Sequence, residues 1–481
     1  MSGQELGITV SKDEDMSEWY TQVVAKAGMA DYGPVAGTMI IEPWGMAIWE
    51  RIRDRFDQWI KDDGVRNAYF PLFIPEKYLE KEAELLEGFL PELAWIEDPD
   101  TEDVTEKVAV RPTSESVIAP YMADNIRSHR DLPFRINQWA NVVRWEVTDT
   151  TPFMRTREFL WQEGHTAHKN REAAEEEVER RLEQYRELLE DVMAISVMKG
   201  RKPEHDKFPG AVTTTTIESL MPDGKSLQNG TSHYLGTNFA EAYDITYQDA
   251  DEAARQAHTT SWGLTTRVVG ALIMAHGDDD GLVLPPEVAP KQVVVVPIWQ
   301  DENKDDVLGY AEDVYDEIEA AGVRVELDDR EHRRPGYKFN EWELKGVPLR
   351  IEIGPDEAEA KELTGVHRDT GEQERFDRGE VVDHVEDDLA AMQQRLLDRQ
   401  KQFQQENVRE ADSKEKIISL IEEHRGYVKA AWCGREACEE PVKDAVAADI
   451  VMVPLHDQDV DGACAVCGED ATEIAYFAKN Y

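Results

Sequence analysis

Apolar residues first recur at helical spacing just after Pro43. Ile48, Ile52, Phe56, Trp59 and Ile60 form one stripe, and proline suits the first turn of the helix they predict. Such a stripe has to be covered, by the core of the same chain or by a second subunit. A shorter helix is predicted around residues 19–26 and an apolar strand over 67–74. Residues 144–168 (RWEVTDTTPFMRTREFLWQEGHTAH) alternate instead. They read as two antiparallel strands joined by a polar turn at 148–152, where Asp149 and Pro152 favour reversal. In the second strand Arg155, Arg157, Phe159, Trp161, Glu163 and His165 are two apart and share a face. A core face would not carry two arginines, and a solvated face would not carry Phe and Trp together. A pocket for a flat anionic ligand suits both: guanidinium forks match phosphate or carboxylate oxygens, and an aromatic ring stacks on a base. The plainer alternative is an amphipathic hairpin with snorkelling arginines.

Residues 89–95 read as a short apolar loop. Residues 108–115 (VAVRPTSE) predict a strand, a turn and a helix start, with Thr113 as the cap and Glu115 in the first turn. The same hydroxyl and carboxylate, at the mouth of a pocket, would hold an ammonium group. Residues 171–194 predict an acidic amphipathic helix with a solvated carboxylate face. Residues 199–207 (KGRKPEHDK) are a basic island, either a plain loop or a flap over phosphates. Strands are predicted at 211–218 and 226–246, with Gln228, Thr231 and His233 among glycines that admit a ligand close to the backbone. Residues 261–270 (SWGLTTRVVG) predict a helix opening at Gly263, with Arg267 one turn in, a candidate anion site. After Pro285, Pro286 and Pro290, strands at 292–297, 323–328 and 349–353 alternate with helices at 305–321 and 337–345, giving an α/β unit of about a hundred residues. No glycine-rich fingerprint follows its first strand, which argues against a dinucleotide-binding fold. A long polar helix at 381–405 leads out.

Charge changes the picture. Against 53 Lys and Arg stand 100 Asp and Glu, a formal net charge of −47 in 481 residues. With 41% hydrophobic residues and 12 Trp, the chain is not disordered, and its length suggests two to four domains. The acid is dispersed along the whole chain, which keeps a protein soluble where salt screens repulsion. A salt-rich cytoplasm, as in a halophile, is expected. The N-terminus is too polar for a signal peptide and no apolar run reaches bilayer length, so a cytoplasmic protein without a membrane partner is expected. The four cysteines form two close pairs, Cys433-x4-Cys438 and Cys464-x2-Cys467. Four thiolates at this spacing suit structural Zn²⁺ with every position filled; two reduced pairs without metal are the alternative.

Three of these stretches together resemble motifs 1, 2 and 3 of class II aminoacyl-tRNA synthetases: 37–43, 144–165 and 263–267. The words RPTSE (111–115), MRTREFLWQEGH (154–165), NGTSH (229–233), SWGLTTR (261–267) and PGYKFNEWELKGVPLRIEIGP (335–355) resemble prolyl-tRNA synthetases of the archaeal and eukaryote-like type. The resemblance spans nearly the whole chain, including the cysteine-bearing tail. It implies an α+β fold: a class II antiparallel-sheet catalytic domain (1–288), an α/β anticodon-binding domain (289–390) and a small α/β zinc-binding C-terminal domain (391–481). It implies a homodimer through the motif 1 helix, activation of L-proline by ATP with Mg²⁺, and transfer of the prolyl group to tRNA(Pro).

The resemblance also assigns roles. Arg144 would grip the α-phosphate and the proline carboxylate, and Arg155 the γ-phosphate. Phe159 and Arg267 would sandwich the adenine, whose amino group Glu146 would accept from. Gln228 and Thr231 would lie near the nucleotide, with the protein ligands of Mg²⁺ left open. Thr113 and Glu115 would fix the secondary ammonium of proline. Phe89, Trp161, Glu163, His165 and His233 would wall the pyrrolidine pocket. Glu341, Glu343 and Lys345 are candidates to meet anticodon guanines, or plain helix surface. The family type with this tail folds its terminal tyrosine, here Tyr481, toward the catalytic domain. The large insertion of bacterial-type enzymes between motifs 2 and 3 is absent, so no cis-editing is expected and alanine or cysteine would be misactivated, since a missing methylene is worth only about 1–3 kcal/mol. A threonine-specific relative is disfavoured by the lack of a metal-ligand set in the catalytic segment. A non-catalytic, synthetase-like RNA-binding protein is the remaining alternative; such proteins usually lose the motif arginines, which are all present.

Overall fold

The computed structural model describes residues 7–79, 92–96, 107–455, 460 and 462–481. Helix α1 (Met16–Lys26) starts where the Asp15 side chain accepts from the Ser17 and Glu18 amides, an ordinary N-cap. Helix α2 (Pro43–Asp62) carries the first apolar stripe and buries Ile48, Ile52, Phe56 and Ile60 completely. Phe56 stacks on Tyr185 at 5.2 Å and meets Trp262 edge-on at 6.2 Å. The stripe is therefore covered by the core of its own chain, which removes it as an argument for a subunit interface. Trp59 is only partly buried.

The predicted strand at 67–74 is two strands in different sheets. Strand β1 (Arg66–Asn67) edges the large sheet, and Phe73–Pro75 pairs with Val108–Val110. Pro71 lies between them, and a proline cannot donate to a ladder. Helix α3 (Glu115–Asn125) is capped at Ser114, not Thr113.

The predicted hairpin is also displaced. Its strands are β2 (Phe134–Val143) and β3 (Glu158–His168), paired antiparallel. Residues 144–157 form a long loop between them, so Arg155 and Arg157 precede the strand. A backbone bridge joins Thr151 to Arg155, Phe153 adopts φ 62°, and the Arg157 amide donates to Gly37 O. These ties hold the loop as a shaped wall. Helix α4 (Arg171–Glu187) ends in a π-turn, Leu188–Val192. Its face is not wholly solvated: Glu177 is buried and pairs with Arg181 at 2.7 Å and Arg135 at 3.0 Å.

Strands β4 (Met198–Arg201), β5 (Thr213–Leu220), β6 (Ser226–Gly236) and β7 (His258–Thr265) follow. Beyond Gly236 the predicted strand gives way to a helix, Asn238–Tyr243, and a short strand, Thr246–Gln248. Gly263 is a strand residue, because β7 is paired on both sides through Thr265. Helix α5 begins at Arg267 and runs to His276 (Arg267–His276). Gly164 on β3 meets the Trp262 ring, which a Cβ there would approach to 2.1 Å, so only glycine lets the two strands lie this close.

The α/β unit forms as its alternation predicts: β8 (Val293–Pro297), α6 (Lys304–Ala320), β9 (Val325–Leu327), α7 (Pro335–Leu344) and β10 (Leu349–Ile353). Strands β11 (Glu362–His367) and β12 (Gln373–Asp377) add an antiparallel edge that the pattern did not predict, giving the order β9-β8-β10-β11-β12. Helix α8 (Val381–Glu406) leads to β13 (Val408–Ala411), β14 (Tyr427–Trp432), β15 (Asp449–Pro454) and β16 (Glu473–Ala478). These strands do not form a separate sheet. Val453 and Pro454 pair with Arg201 and Gly200, so one eleven-stranded sheet runs β13-β14-β16-β15-β4-β5-β6-β7-β3-β2-β1.

The net charge of −47 makes the compact state self-repelling in dilute buffer. The thermal midpoint is expected to rise by at least about 10 °C between 0.1 M and 3 M KCl, a range over which the Debye length falls from about 10 Å to below 3 Å. An equal midpoint at both concentrations, followed by circular dichroism, would contradict the screening account.

Candidate active site

The central strands present a face of the sheet to a cavity of about 630 Å³. Alternation along β3 aims Phe159, Trp161, Glu163 and His165 into it, and β6 supplies Gln228, Thr231 and His233. The turn before α3 adds Thr113, and the first residue of α3 adds Glu115. The 144–157 loop adds Arg144, Glu146 and Arg155, and the start of α5 adds Arg267. The catalytic-segment residues to which the resemblance assigns roles all line this one cavity except Phe89, which lies outside the described residues. Arg157 is not in it; its guanidinium donates to Val147 O and Ala36 O and braces the loop.

One end is cationic. The Arg144 guanidinium lies 5.5 Å from the Phe159 ring centroid. Burial lowers its pKa, while Glu146, Glu115 and Glu163 oppose the shift. Arg267 Nε donates to Met154 O at 3.0 Å. Its pKa is pushed down to about 10, by burial first and then by the charges of Arg144 and Arg155, with Glu218 acting in the opposite sense. Arg144 and Arg155 stand close enough to Arg267 to act on its charge, and the three guanidiniums together suit an anion of several charges.

The other end is acidic and tightly braced. Thr113 Oγ1 donates to Glu115, which is 6% exposed. Glu163 accepts from Ser114 Oγ at 2.5 Å and from Gln138, and faces His165 Nε2 at 3.2 Å. Burial lowers the His165 pKa, but the Glu163 hydrogen bond and the charges of Glu115 and Glu163 outweigh it, so the net shift is upward. His233 moves the opposite way, to about 3, through burial and then the His165 charge. Thr214 Oγ1 lies 3.0 Å from its Nδ1 and Thr231 Oγ1 2.9 Å from its Nε2. Trp161 Nε1 and Ser261 Oγ are buried without a hydrogen-bond partner in the protein.

The opposed histidine shifts predict a pH dependence. Unfolded His233 takes up a proton near pH 6.5, whereas folded His233 stays neutral to about pH 3. Between these values the unfolded state binds more protons, so stability falls as pH falls. His165, raised in the folded state, contributes stability below its unfolded pKa and loses it as pH rises through the folded one. His233→Gln is expected to flatten the loss of thermal midpoint between pH 6.5 and 4, measured in molar KCl. An acid limb of unchanged steepness would contradict this.

The basic island at 199–207, read from the sequence as a plain loop or a flap over phosphates, brings Lys202, Asp206 and Lys207 to the cavity, and Phe208, which sequence reasoning missed, lines it from the same loop. Lys202 Nζ reaches Glu218 at 3.3 Å and Asp206 at 3.4 Å, and Phe208 packs 4.7 Å from the His233 ring. Arg111, in the RPTSE word, stays outside the cavity; fully buried, it ties Phe70 O to Asn141 O.

Elsewhere, Glu341 pairs with Arg330 at 2.7 Å and Lys345 at 3.4 Å. Lys345 lies over the rings of Trp342 and Trp44. The Glu343 carbonyl accepts from Arg368. The four cysteine sulfurs lie within 4.8 Å of one another. Cys433 Sγ is 3.5 Å from Cys438 Sγ and 3.8 Å from Cys467 Sγ, near the ~3.8 Å edge of a tetrahedron of thiolates about 2.3 Å from zinc. The C-terminus reaches the catalytic sheet: the Tyr481 amide donates to Ser226 O, and the Ser226 amide donates to Lys479 O.

Known proteins share this arrangement. Residues 95–276 match the tRNA synthetase class II core domain (G, H, P, S and T) and residues 292–388 an anticodon binding domain. Fold and cavity thus define a class II aminoacyl-tRNA synthetase. Residues 414–481 match the prolyl-tRNA synthetase C-terminal domain. The proline--tRNA ligase of Haloarcula marismortui is 61% identical, aligned over 100% of both chains, and that of Halorubrum lacusprofundi is 58% identical over 99% of both. A crystal structure of prolyl-tRNA synthetase from Cryptosporidium parvum, complexed with halofuginone and AMPPNP, superposes with a TM-score of 0.93 at 42% identity, covering 99% of this chain and 100% of that one. The chain belongs to the proline--tRNA ligase family.

Proposed function

We propose that the cavity activates L-proline with ATP and passes the prolyl group from prolyl-adenylate to tRNA(Pro). The observation that carries this is that one cavity is lined both by three arginines, Arg144, Arg155 and Arg267, and by two buried carboxylates, Glu115 and Glu163. A zwitterionic amino acid placed between them puts its carboxylate beside Arg144 and its ammonium beside Glu115. That aligns the carboxylate for in-line attack on an α-phosphate. Arg144 stabilises the charge that builds on phosphorus oxygens during attack. Arg155 holds the γ-phosphate, and Phe159 with Arg267 holds the adenine, whose amino group donates to Glu146. Mg²⁺ enters with ATP, with Gln228 and Thr231 beside the phosphates. Trp161, Glu163, His165 and His233 shape the pyrrolidine pocket, completed by Phe89 as the sequence resemblance implies. Retention of all three arginines favours this over a non-catalytic RNA-binding protein.

The unit at 289–390 binds the anticodon. Contact of Glu341, Glu343 and Lys345 with bases would require Glu341 and Lys345 to leave their present partners. A homodimer forms through exposed apolar residues near motif 1, where Tyr32 is 63% and Ile40 51% exposed. No helix among the described residues is long and apolar enough to cross a membrane, and a tRNA substrate places the work in the cytoplasm. Charging of tRNA(Pro) with labelled proline in molar KCl tests the reading; a folded protein that charges no tRNA would refute it.

Cys433, Cys438, Cys464 and Cys467 fit Zn²⁺, which would cross-link the C-terminal unit (391–481). Structural zinc contributes folding free energy directly. Prolonged chelation is expected to lower the thermal midpoint and to change the fluorescence of Trp432, which is buried beside Cys433. Chelation without either change would argue for reduced thiols alone.

A further inference from the structure

The anticodon-binding unit carries a second convergence of metal-ligating groups, far in sequence from the four cysteines. His367 ends β11, and Glu374 lies on β12, which pairs antiparallel with it. Glu374 is opposite Gly365, so His367, two residues on, shares its face and lies diagonal to it. His384 and Asp388 stand one turn apart on α8 and so project from one side of the helix. One nitrogen of His367 and one oxygen each of Glu374 and Asp388 lie within 4.8 Å of one another. His367 Nε2 is 2.8 Å from Glu374 Oε1 and 3.7 Å from Asp388 Oδ2. His384 Nε2 is 3.1 Å from the same Glu374 oxygen and 3.3 Å from the same Asp388 oxygen.

These four separations, from 2.8 to 3.7 Å, bracket the ~3.3 Å edge of a tetrahedron built on ligand bonds of about 2.0 Å. The groups are also held in place. Phe376 stacks on the His384 ring at 3.8 Å with 20° between the planes, and His367 is 9% exposed. Asp388 Oδ2 is shielded from solvent yet accepts no hydrogen bond, although both imidazoles face it. Both imidazole Nε2 atoms are within hydrogen-bond distance of Glu374 Oε1 instead; a cation bound by lone pairs would satisfy the Asp388 oxygen as well.

We propose that His367, Glu374 and Asp388, with His384 completing the set, bind a divalent transition-metal ion. Imidazole nitrogens select zinc, nickel or copper over magnesium and calcium, which favour all-oxygen shells. The ion would clip the edge strand β12 and the end of β11 to the start of α8.

The test uses the full chain in molar KCl, stripped with a chelator, reloaded with Zn²⁺, passed over a desalting column and assayed for bound metal. Two zinc ions per wild-type chain are expected, one in H367A, one in D388N and one in C464S/C467S. Reloading with Co²⁺ separates the sites. Thiolate-to-cobalt charge-transfer absorption should survive in H367A and D388N, showing that the cysteine unit is still folded. Only the weaker bands of a nitrogen–oxygen site should disappear. One zinc per wild-type chain, or a wild-type complement in both H367A and D388N, would overturn the proposal.

Discussion

Replacing Arg144 with alanine is expected to lower kcat for proline-dependent ATP–pyrophosphate exchange by about 10³-fold, or ~4 kcal/mol, the upper range for loss of one preorganised group that stabilises transition-state charge. Arg144 lies against Phe159 and feels Glu146, Glu115 and Glu163, so it stands between the cationic and acidic ends. In the proposed reading its loss removes the arginine that meets both the carboxylate nucleophile and the phosphate it attacks. Arg144→Lys keeps a charge but loses the planar fork, and recovery of only about tenfold over the alanine variant is expected. The fold should persist, because the Arg144 backbone amide, which donates to Arg157 O at 2.7 Å, is unaffected. Exchange within threefold of wild type in a folded Arg144→Ala protein would remove Arg144 from the chemistry.

Replacing Glu115 with glutamine is expected to lower kcat/KM for proline by about 10²-fold, ~2.7 kcal/mol, within the range for a lost charge-assisted hydrogen bond. The substitution keeps shape and keeps an acceptor for Thr113 Oγ1, but removes the charge opposite the ammonium. The loss should fall on proline and leave the KM for ATP nearly unchanged, because Arg155 and Phe159, proposed to hold the nucleotide, are untouched. Equal losses for both substrates would show that the turn had moved rather than that a charge had been lost.

Much of this site was legible because alternation is a local property. Phe159, Trp161, Glu163 and His165 share a face for the reason their spacing suggested. The extension of that face to Arg157 failed because the loop ties of Gly37 and Thr151 end the strand at Glu158. The stripe on α2 was legible as a stripe, but its partner was not. Tyr185 and Trp262 are more than a hundred residues away from it, and only the folded chain shows that they cover Phe56.

Burial of charge was the least legible feature. Glu177 looks in sequence like any other carboxylate of an acidic helix, yet Arg181 and Arg135 bury it. The joining of β15 to β4 was invisible for the same reason: strand pairing across some 250 residues leaves no periodic mark. That junction places the cysteine-bearing unit on the sheet that carries the active site. Glu439, next to Cys438, bonds His205, and the neighbours of His205 close the cavity.

The central claim is that this cavity activates proline. Pyrophosphate exchange into ATP, with purified protein in molar KCl and proline as the amino acid, tests it most directly. Strong exchange is predicted with proline, weak exchange with alanine and cysteine, and none without an amino acid. A folded, dimeric or monomeric protein that binds ATP but exchanges no pyrophosphate with proline would contradict the account.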